Sequence, residues 1–226
     1  MKYSIKVNDV TRNEGSLKGF ATVTFGESFK VTNIAILQAG DGRMFVSMPR
    51  YKTNQQNEDG NDVYKDICNP ITKEFRKVLY SDILETFEKR EDKNAVSKEK
   101  SVEMPEVTVS VTPYEKEGSS MKALARVVLD DCFVINNVTI LEGKSGNNFV
   151  AMPGYKTNQK DEQGKDIFRD ICFPVTAEFR TKMFDAVLAD YEVKKKDQVG
   201  YSIEDTSEKE HVAVSQNITG KETPFR

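Results

Sequence analysis

The residues best suited to chemistry in this sequence are two lysines, each of which follows a tyrosine in the same five-residue string. The string Tyr-Lys-Thr-Asn-Gln contains Lys52 at its first occurrence and Lys156 at its second. A lysine ammonium can contact a phosphate, and an exposed tyrosine ring can stack on an unpaired base. Exposed loops otherwise drift in sequence, so we interpret Tyr51 with Lys52, and Tyr155 with Lys156, as candidate nucleic-acid contacts.

Other basic residues could extend this patch, either from the flanking segments or from the start of the helix that follows. The alternative for each cation is a solvated surface position or an ion pair with a carboxylate of its own chain. The sequence leaves both interpretations open. The additional candidates are Arg50, Lys65, Arg169, Arg76 and Arg180, and the candidate carboxylate partners are Asp66, Asp170, Glu74 and Glu178.

The repeated carboxylates do not predict an enzyme, because catalysis needs partners that the sequence lacks. No nucleophile elbow, paired histidine or metal-spaced cluster accompanies them. The only histidine, His211, lies in a polar C-terminal segment. We therefore expect no catalytic residue, no metal site and no cofactor.

Three cysteines complete the set of reactive side chains. Cys68 and Cys172 each follow Asp-Ile and precede a proline by two positions, and Cys132 stands apart. Their spacing matches no zinc or redox motif. Free cysteine packs as a small hydrophobic residue, so buried thiols are expected.

The candidate residues recur because the chain repeats itself at a shift of 104 positions (156 − 52). About 30 of the 72 aligned positions between residues 17–88 and 121–192 are identical. A repeat of this length indicates tandem domains, since solenoid units run to about 20–50 residues. We predict domains at residues 1–92 and 107–197, a charged linker at 93–106, and a polar, disordered tail at 198–226.

Each copy is predicted to form strands first and a helix last. Apolar and polar residues alternate over residues 3–7 and 107–111, which is typical of half-buried strands. Short polar breaks at Gly26-Glu27 and Asp130-Asp131 indicate hairpins, and Pro49 and Pro153 should end a fourth strand. Residues 51–62 and 155–166 are predicted to be polar loops before a fifth strand. Thr72 and Thr176 can cap amphipathic helices.

Composition excludes several classes of protein. The net charge of −3 argues against a general nucleic-acid coat, so any such site must be a local, salt-dependent patch. No apolar run approaches the roughly 20 residues that span a bilayer. The chain also starts directly with a strand pattern, without a secretory signal. We therefore expect no membrane partner and a cytoplasmic protein.

The second copy resembles the SpoVG septation regulators over nearly its full length. The likeness is carried by Phe-Val-Ala-Met-Pro ending at Pro153, by Phe-Arg-Asp-Ile ending at Ile171, and by the helical segment 185–191. The hairpin segment 125–138 also matches, and the first copy matches more loosely. Ordinary members carry one copy, and this chain carries two.

The resemblance implies a small α+β domain that dimerises, with an antiparallel sheet and a C-terminal helix. It also implies a cytoplasmic bacterial regulator of septation and sporulation that binds DNA or RNA. Two copies in one chain could pair with each other in place of a homodimer, or two chains could associate. The alternative function is a non-catalytic adaptor that binds proteins through the same fold.

Overall fold

The computed structural model of the chain has an α+β fold, in which each repeat forms an antiparallel sheet followed by a helix. This confirms the predicted fold class. The structure describes residues 1–10, 15–89, 103–114 and 116–215, with side chains described up to residue 197. Repeat 1 contains β1 (Tyr3–Asp9), β2 (Leu17–Phe25), β3 (Phe29–Gln38), β4 (Met44–Ser47), β5 (Arg50–Gln56), β6 (Asp62–Asp66), β7 (Cys68–Pro70) and α1 (Lys73–Glu88). Repeat 2 contains β8 (Val107–Pro113), β9 (Met121–Leu129), β10 (Phe133–Glu142), β11 (Asn148–Ala151), β12 (Gly154–Lys160), β13 (Asp166–Asp170), β14 (Cys172–Pro174) and α2 (Ala177–Ser215).

The predicted hairpin turns are present between β2 and β3 and between β9 and β10, where Phe25 pairs with Phe29 and Leu129 pairs with Phe133. Gly26 and Glu27 have φ of 51° and 54°, and Asp130 and Asp131 have 46° and 50°. Positive φ at both central residues matches the right-handed twist of the flanking strands. Gly26 is also required sterically, because a Cβ there would collide with the carbonyl oxygen of Glu103.

The two repeats exchange one short strand each. β7 of repeat 1 pairs antiparallel with β10 of repeat 2, with Cys68 opposite Ile135. In the equivalent place, β14 of repeat 2 pairs with β3 of repeat 1, with Cys172 opposite Val31. Each five-stranded sheet therefore contains four strands of its own repeat and one of the other.

The predicted amphipathic helix α1 covers one face of the first sheet. The side chain of Thr72 accepts a hydrogen bond from the backbone N–H of Phe75 at 3.2 Å, which confirms the predicted cap. Leu79, Ile83 and Phe87 recur every four residues on the helix and are all buried. Burying each such side chain stabilises the fold by about 1.5–3 kcal/mol before entropy is counted.

The second helix repeats this packing and continues further along the chain. Phe179, Met183 and Val187 are fully buried, and Thr176 caps the helix through the N–H of Phe179 at 3.2 Å. α2 extends to Ser215, past residue 197 where the second domain was predicted to end.

Parts of two predicted segments fall outside the described residues. These are residues 93–102 of the predicted linker and residues 216–226 of the predicted tail. The remainder of the predicted tail, residues 198–215, belongs to α2. Among the helices in the described part of the chain, none is both long and apolar enough to cross a membrane.

Candidate nucleic-acid interface

The repeated Tyr-Lys-Thr segments lie on two β-ribbons, one in each repeat. Ribbon 1 consists of β5 and β6, and ribbon 2 of β12 and β13. Each ribbon starts directly after the proline that follows the fourth strand of its repeat. The N–H of Ile67 donates to the carbonyl of Pro49 at 2.8 Å, and that of Ile171 donates to Pro153 at 2.9 Å. The ribbons therefore stand in the connections that carry β7 and β14 into the opposite sheet.

The prediction that residues 51–62 and 155–166 are loops is wrong, because most of these residues form ribbon strands. The ladder is irregular beyond Lys52 and Lys156, and threonine side chains reinforce it there. The hydroxyl of Thr53 donates to the carbonyl of Val63 at 2.9 Å. The hydroxyl of Thr157 donates to Ile167 at the same distance.

Side-chain hydrogen bonds also close the tips of both ribbons. The Asn57 side-chain oxygen accepts from the N–H groups of Asp59 and Asn61, at 3.1 and 2.8 Å. Asp161 accepts in the same way from two backbone N–H groups of its own tip. Such Asx contacts favour tight turns and explain the polar composition of these segments without any ligand.

One face of each ribbon presents a lysine beside an exposed aromatic ring. Lys52 lies opposite Tyr64 in the ladder, and Lys156 lies opposite Phe168. Residues directly opposite each other share a face. Tyr64 is 52% exposed and Phe168 is 67% exposed. The guanidinium of Arg50 lies 5.7 Å from the Tyr64 ring centroid, whereas Gly154 occupies the equivalent position in ribbon 2.

Both lysines are ion-paired within their own ribbon. The ammonium of Lys52 lies 2.7 Å from a carboxylate oxygen of Asp62, and that of Lys156 lies 2.7 Å from Asp166. Both lysine side chains remain more than half exposed. Exposed pairs of this kind contribute about 0–1 kcal/mol, so a phosphate could replace the carboxylate at little cost.

The opposite face of each ribbon combines a tyrosine with a cation. Tyr51 lies opposite Lys65, and Tyr155 lies opposite Arg169. Tyr51 is half-buried against the hydrophobic core, whereas Tyr155 is 38% exposed. Lys65 and Arg169 are exposed and make no ion pair with any other described residue.

The two remaining candidates, Arg76 and Arg180, lie in the first turns of the helices, and each guanidinium binds a backbone carbonyl. The Arg76 guanidinium donates to the carbonyl of Pro70 at 3.0 Å, and that of Arg180 donates to Pro174 at 3.5 Å. These contacts tie each helix to the exchanged strand before it. Burial raises the pKa of Asp170, and the positive charge of Arg180 partly opposes that rise.

Tyr64 and Phe168 were missed as candidates by the sequence reasoning. They could have been found from the alternation of buried and exposed side chains in β6 and β13. Val63 and Ile167 are half-buried, and the aromatic residue that follows each of them is exposed. A large apolar side chain at an outward position of a polar strand is a better indication of a contact surface than the tyrosine of the repeated string.

Comparison with known proteins supports the repeat structure. The SpoVG family model matches the chain twice, at residues 1–89 and 104–193. The chain belongs to the SpoVG family. The first match covers β1 to α1, the second covers β8 to the first part of α2, and each match includes its ribbon.

Several curated relatives are single SpoVG proteins that align with part of this chain. A SpoVG septation protein of Treponema denticola is 42% identical over 92 residues, covering 40% of this chain and 87% of the relative. One from Alkaliphilus oremlandii is 43% identical over 72 residues, covering 32% and 70%. A third, from Phytoplasma australiense, is 37% identical over 93 residues, covering 41% and 85%. The relatives thus correspond to one repeat each.

Proposed function

We propose that this tandem SpoVG protein is a nucleic-acid-binding regulator of septation or sporulation that catalyses no reaction. The observation that carries the proposal is the pairing of a lysine with an exposed aromatic ring on each ribbon. Lys52 with Tyr64, and Lys156 with Phe168, combine a phosphate contact with a stacking surface. Relatives named as septation proteins support the cellular process. A regulator of this kind acts in the cytoplasm.

The two ribbons differ in a way that assigns them different contributions. In ribbon 1 the Arg50 guanidinium covers part of the Tyr64 ring, which adds a cation and reduces the ring area open to a base. In ribbon 2 the glycine at position 154 leaves Phe168 more exposed. Ribbon 2 therefore contributes mainly stacking, and ribbon 1 contributes mainly charge.

A second candidate function is a protein-binding adaptor. The observation that favours it is the ion pairing of both ribbon lysines, because Asp62 and Asp166 neutralise the charges that a phosphate contact would use. The net charge of −3 points the same way. In the adaptor, the exposed rings of Tyr64 and Phe168 would be apolar anchors for a protein partner.

Selection of RNA and DNA from random pools by the whole chain, followed by fluorescence anisotropy, separates the two functions. The variant Tyr64→Ala with Phe168→Ala should weaken single-stranded ligands by about 1–3 kcal/mol per stacked base. Val78→Ala is the matched control, because Val78 is 53% exposed on α1 and lies outside the ribbons. If the selected ligands bind wild type no better than at millimolar strength, the adaptor function replaces the regulator.

A further inference from the structure

The sheet of repeat 1 has a second face, which is turned away from α1. The ribbons are not part of this face. Successive side chains of a strand point to opposite faces, so each strand divides between the two. Val23 and Ile36 point toward the helix and are fully buried. Phe20 alternates with them and is 37% exposed. We call this second face the outer face of repeat 1.

The outer face of repeat 1 carries three lysines that are not ion-paired within the described part of the chain. Lys6 lies opposite Thr22, Lys30 lies opposite Thr24, and Lys18 occupies the bulge near the start of β2. None of the three makes an ion pair with another described residue.

No acidic side chain of β1 to β4 shares this face. In β1, Asp9 alternates with Val7 and Ile5 toward the helix side. In the turn before β4, Asp41 is held by Arg43, whose guanidinium lies 2.7 Å from its carboxylate. The outer face therefore has the charge of a surface for a polyanion.

Aromatic rings lie on the same face as the lysines. Phe45 is 44% exposed and lies opposite Leu37 of β3. Phe20 pairs with β3 from the other side of that strand. The exchanged strand adds Phe173, which lies opposite Lys30 and is half-buried. Lysines track a phosphate backbone, and aromatic rings on an open sheet stack unpaired bases.

We propose that the outer face of repeat 1 binds single-stranded nucleic acid, with Phe20 and Phe45 stacking bases and Lys6, Lys18 and Lys30 contacting phosphates. The proposal rests on the proposed nucleic-acid function and adds a contact surface separate from the ribbons. A single strand of nucleic acid bound there would be recognised through its bases. In a duplex the base faces stack on one another, so Phe20 would have no free base face to stack on.

Repeat 2 supplies an internal control for this proposal, because its equivalent face has lost most of these groups. The positions of Lys6, Phe20 and Lys30 are occupied there by Ser110, Leu124 and Val134. Asn69 stands opposite Val134, in the place that Phe173 takes opposite Lys30. Both repeats fold with their own set, so these exchanges are compatible with the sheet.

The test replaces three outer-face residues of repeat 1 with the residues that repeat 2 has at the equivalent positions. The variant carries Lys6→Ser, Phe20→Leu and Lys30→Val together in the whole chain. The probes are a fluorescein-labelled oligodeoxythymidylate and a labelled blunt DNA duplex. The variant should bind the single strand at least about tenfold more weakly, since one stacked base alone is worth about 1.4 kcal/mol and two phosphate contacts are lost as well. Its salt slope should fall by about 1.4, at about 0.7 for each lysine lost. Duplex binding should change less.

The ribbon variant Tyr64→Ala with Phe168→Ala separates failure of this inference from failure of the proposed function. If the ribbon variant loses affinity and the face variant keeps wild-type affinity and slope, the outer face is not a site and the ribbon function stands. If wild type binds neither probe nor any selected ligand, both proposals fail. If the face variant instead abolishes self-association in light scattering and leaves DNA binding unchanged, the face contacts a second copy and the inference is overturned.

Photo-crosslinking gives an independent readout on unmodified protein. An oligodeoxythymidylate carrying 4-thiothymidine is irradiated with wild type, and the crosslinked peptides are identified by mass spectrometry. The proposal expects adducts on peptides that contain Phe20 or Phe45. Adducts confined to ribbon peptides would overturn it.

Discussion

Phe25 of repeat 1 and Phe133 of repeat 2 lie with their ring centroids 4.8 Å apart and their planes at 51°. Both rings are fully buried, and each belongs to a strand that borders its repeat's hairpin turn. In the same core, the ring centroids of Phe29 of repeat 1 and Phe179 of repeat 2 lie 6.1 Å apart. The hydrophobic core is therefore continuous across the two repeats.

The first prediction concerns this shared core. Phe133→Ala should destabilise the chain by about 3–5 kcal/mol, because it removes a buried ring and leaves a cavity. Urea unfolding followed by circular dichroism should show a single transition that shifts as a whole. Phe149→Ala is the control, since Phe149 is 48% exposed and should change stability little. Separate transitions for the two repeats would contradict the continuous core.

The second prediction concerns the exchanged strands. Residues 1–92 alone lack β14, so the first half of β3 would be left with an unpaired edge. Such edges associate with any available strand. We expect this half to dimerise alone and to form a mixed complex with residues 104–197, as measured by light scattering. The intact chain should be monomeric. Halves that stay separate beside a monomeric chain would contradict a stabilising exchange.

Local elements of the fold could be predicted from the sequence because they depend on neighbouring residues. The turn at Gly26-Glu27, the cap at Thr72 and the four-residue spacing of α1 are all present. The strand exchange could not be predicted. β7 is only three residues long and contains Pro70, and its partner is chosen by tertiary packing with a segment distant in sequence.

The candidate site was predictable in position but not in detail. The identity of the Tyr-Lys-Thr strings indicated an exposed functional segment, yet part of that identity is structural. Thr53 holds the ribbon together, and Lys52 pairs with Asp62. Sequence alone could not show this, because both partners come from the returning strand. The exposure of the Tyr64 ring could not be predicted either, because Tyr64 also lies on the returning strand.

The third prediction uses a titrating group in the core of repeat 1. Burial, followed by the hydrogen bond and charge of Asp82, raises the pKa of Tyr3 well above its ordinary value. The unfolded chain would lose this proton near pH 10. The contribution of Tyr3 to stability should therefore be constant below about pH 10 and fall above it, since only the folded state keeps this proton.

Tyr3→Phe tests this dependence. The variant should be less stable at neutral pH by about 1 kcal/mol, because the hydrogen bond to Asp82 is lost. Its stability should then fall less steeply than that of wild type at alkaline pH, as measured by urea unfolding at several pH values. Parallel curves for the two proteins would contradict the role assigned to Tyr3.

The fourth prediction concerns thiol reactivity. Contact with the Cys172 thiol and burial both raise the pKa of Cys68 well above its ordinary value. Burial also raises the pKa of Cys132, but that residue is only partly buried. Thiolates are the reactive form, so iodoacetamide should modify Cys132 much faster than Cys68 or the fully buried Cys172. Mass spectrometry of labelled peptides measures this, and equal rates without denaturant would contradict the buried pair.

The salt dependence of nucleic-acid binding tests the proposed regulator most directly. Lys52→Gln with Lys156→Gln removes both ribbon charges, and Lys73→Gln with Lys77→Gln removes two exposed charges of α1 as a control. The measurement is the slope of log affinity against log salt concentration for ligands selected by the wild-type chain. The account predicts that the ribbon variant loses about 0.7–0.9 unit of slope per lysine, similarly for all sequences, while the control keeps its slope. An unchanged slope in the ribbon variant would contradict the claim that these lysines contact phosphates.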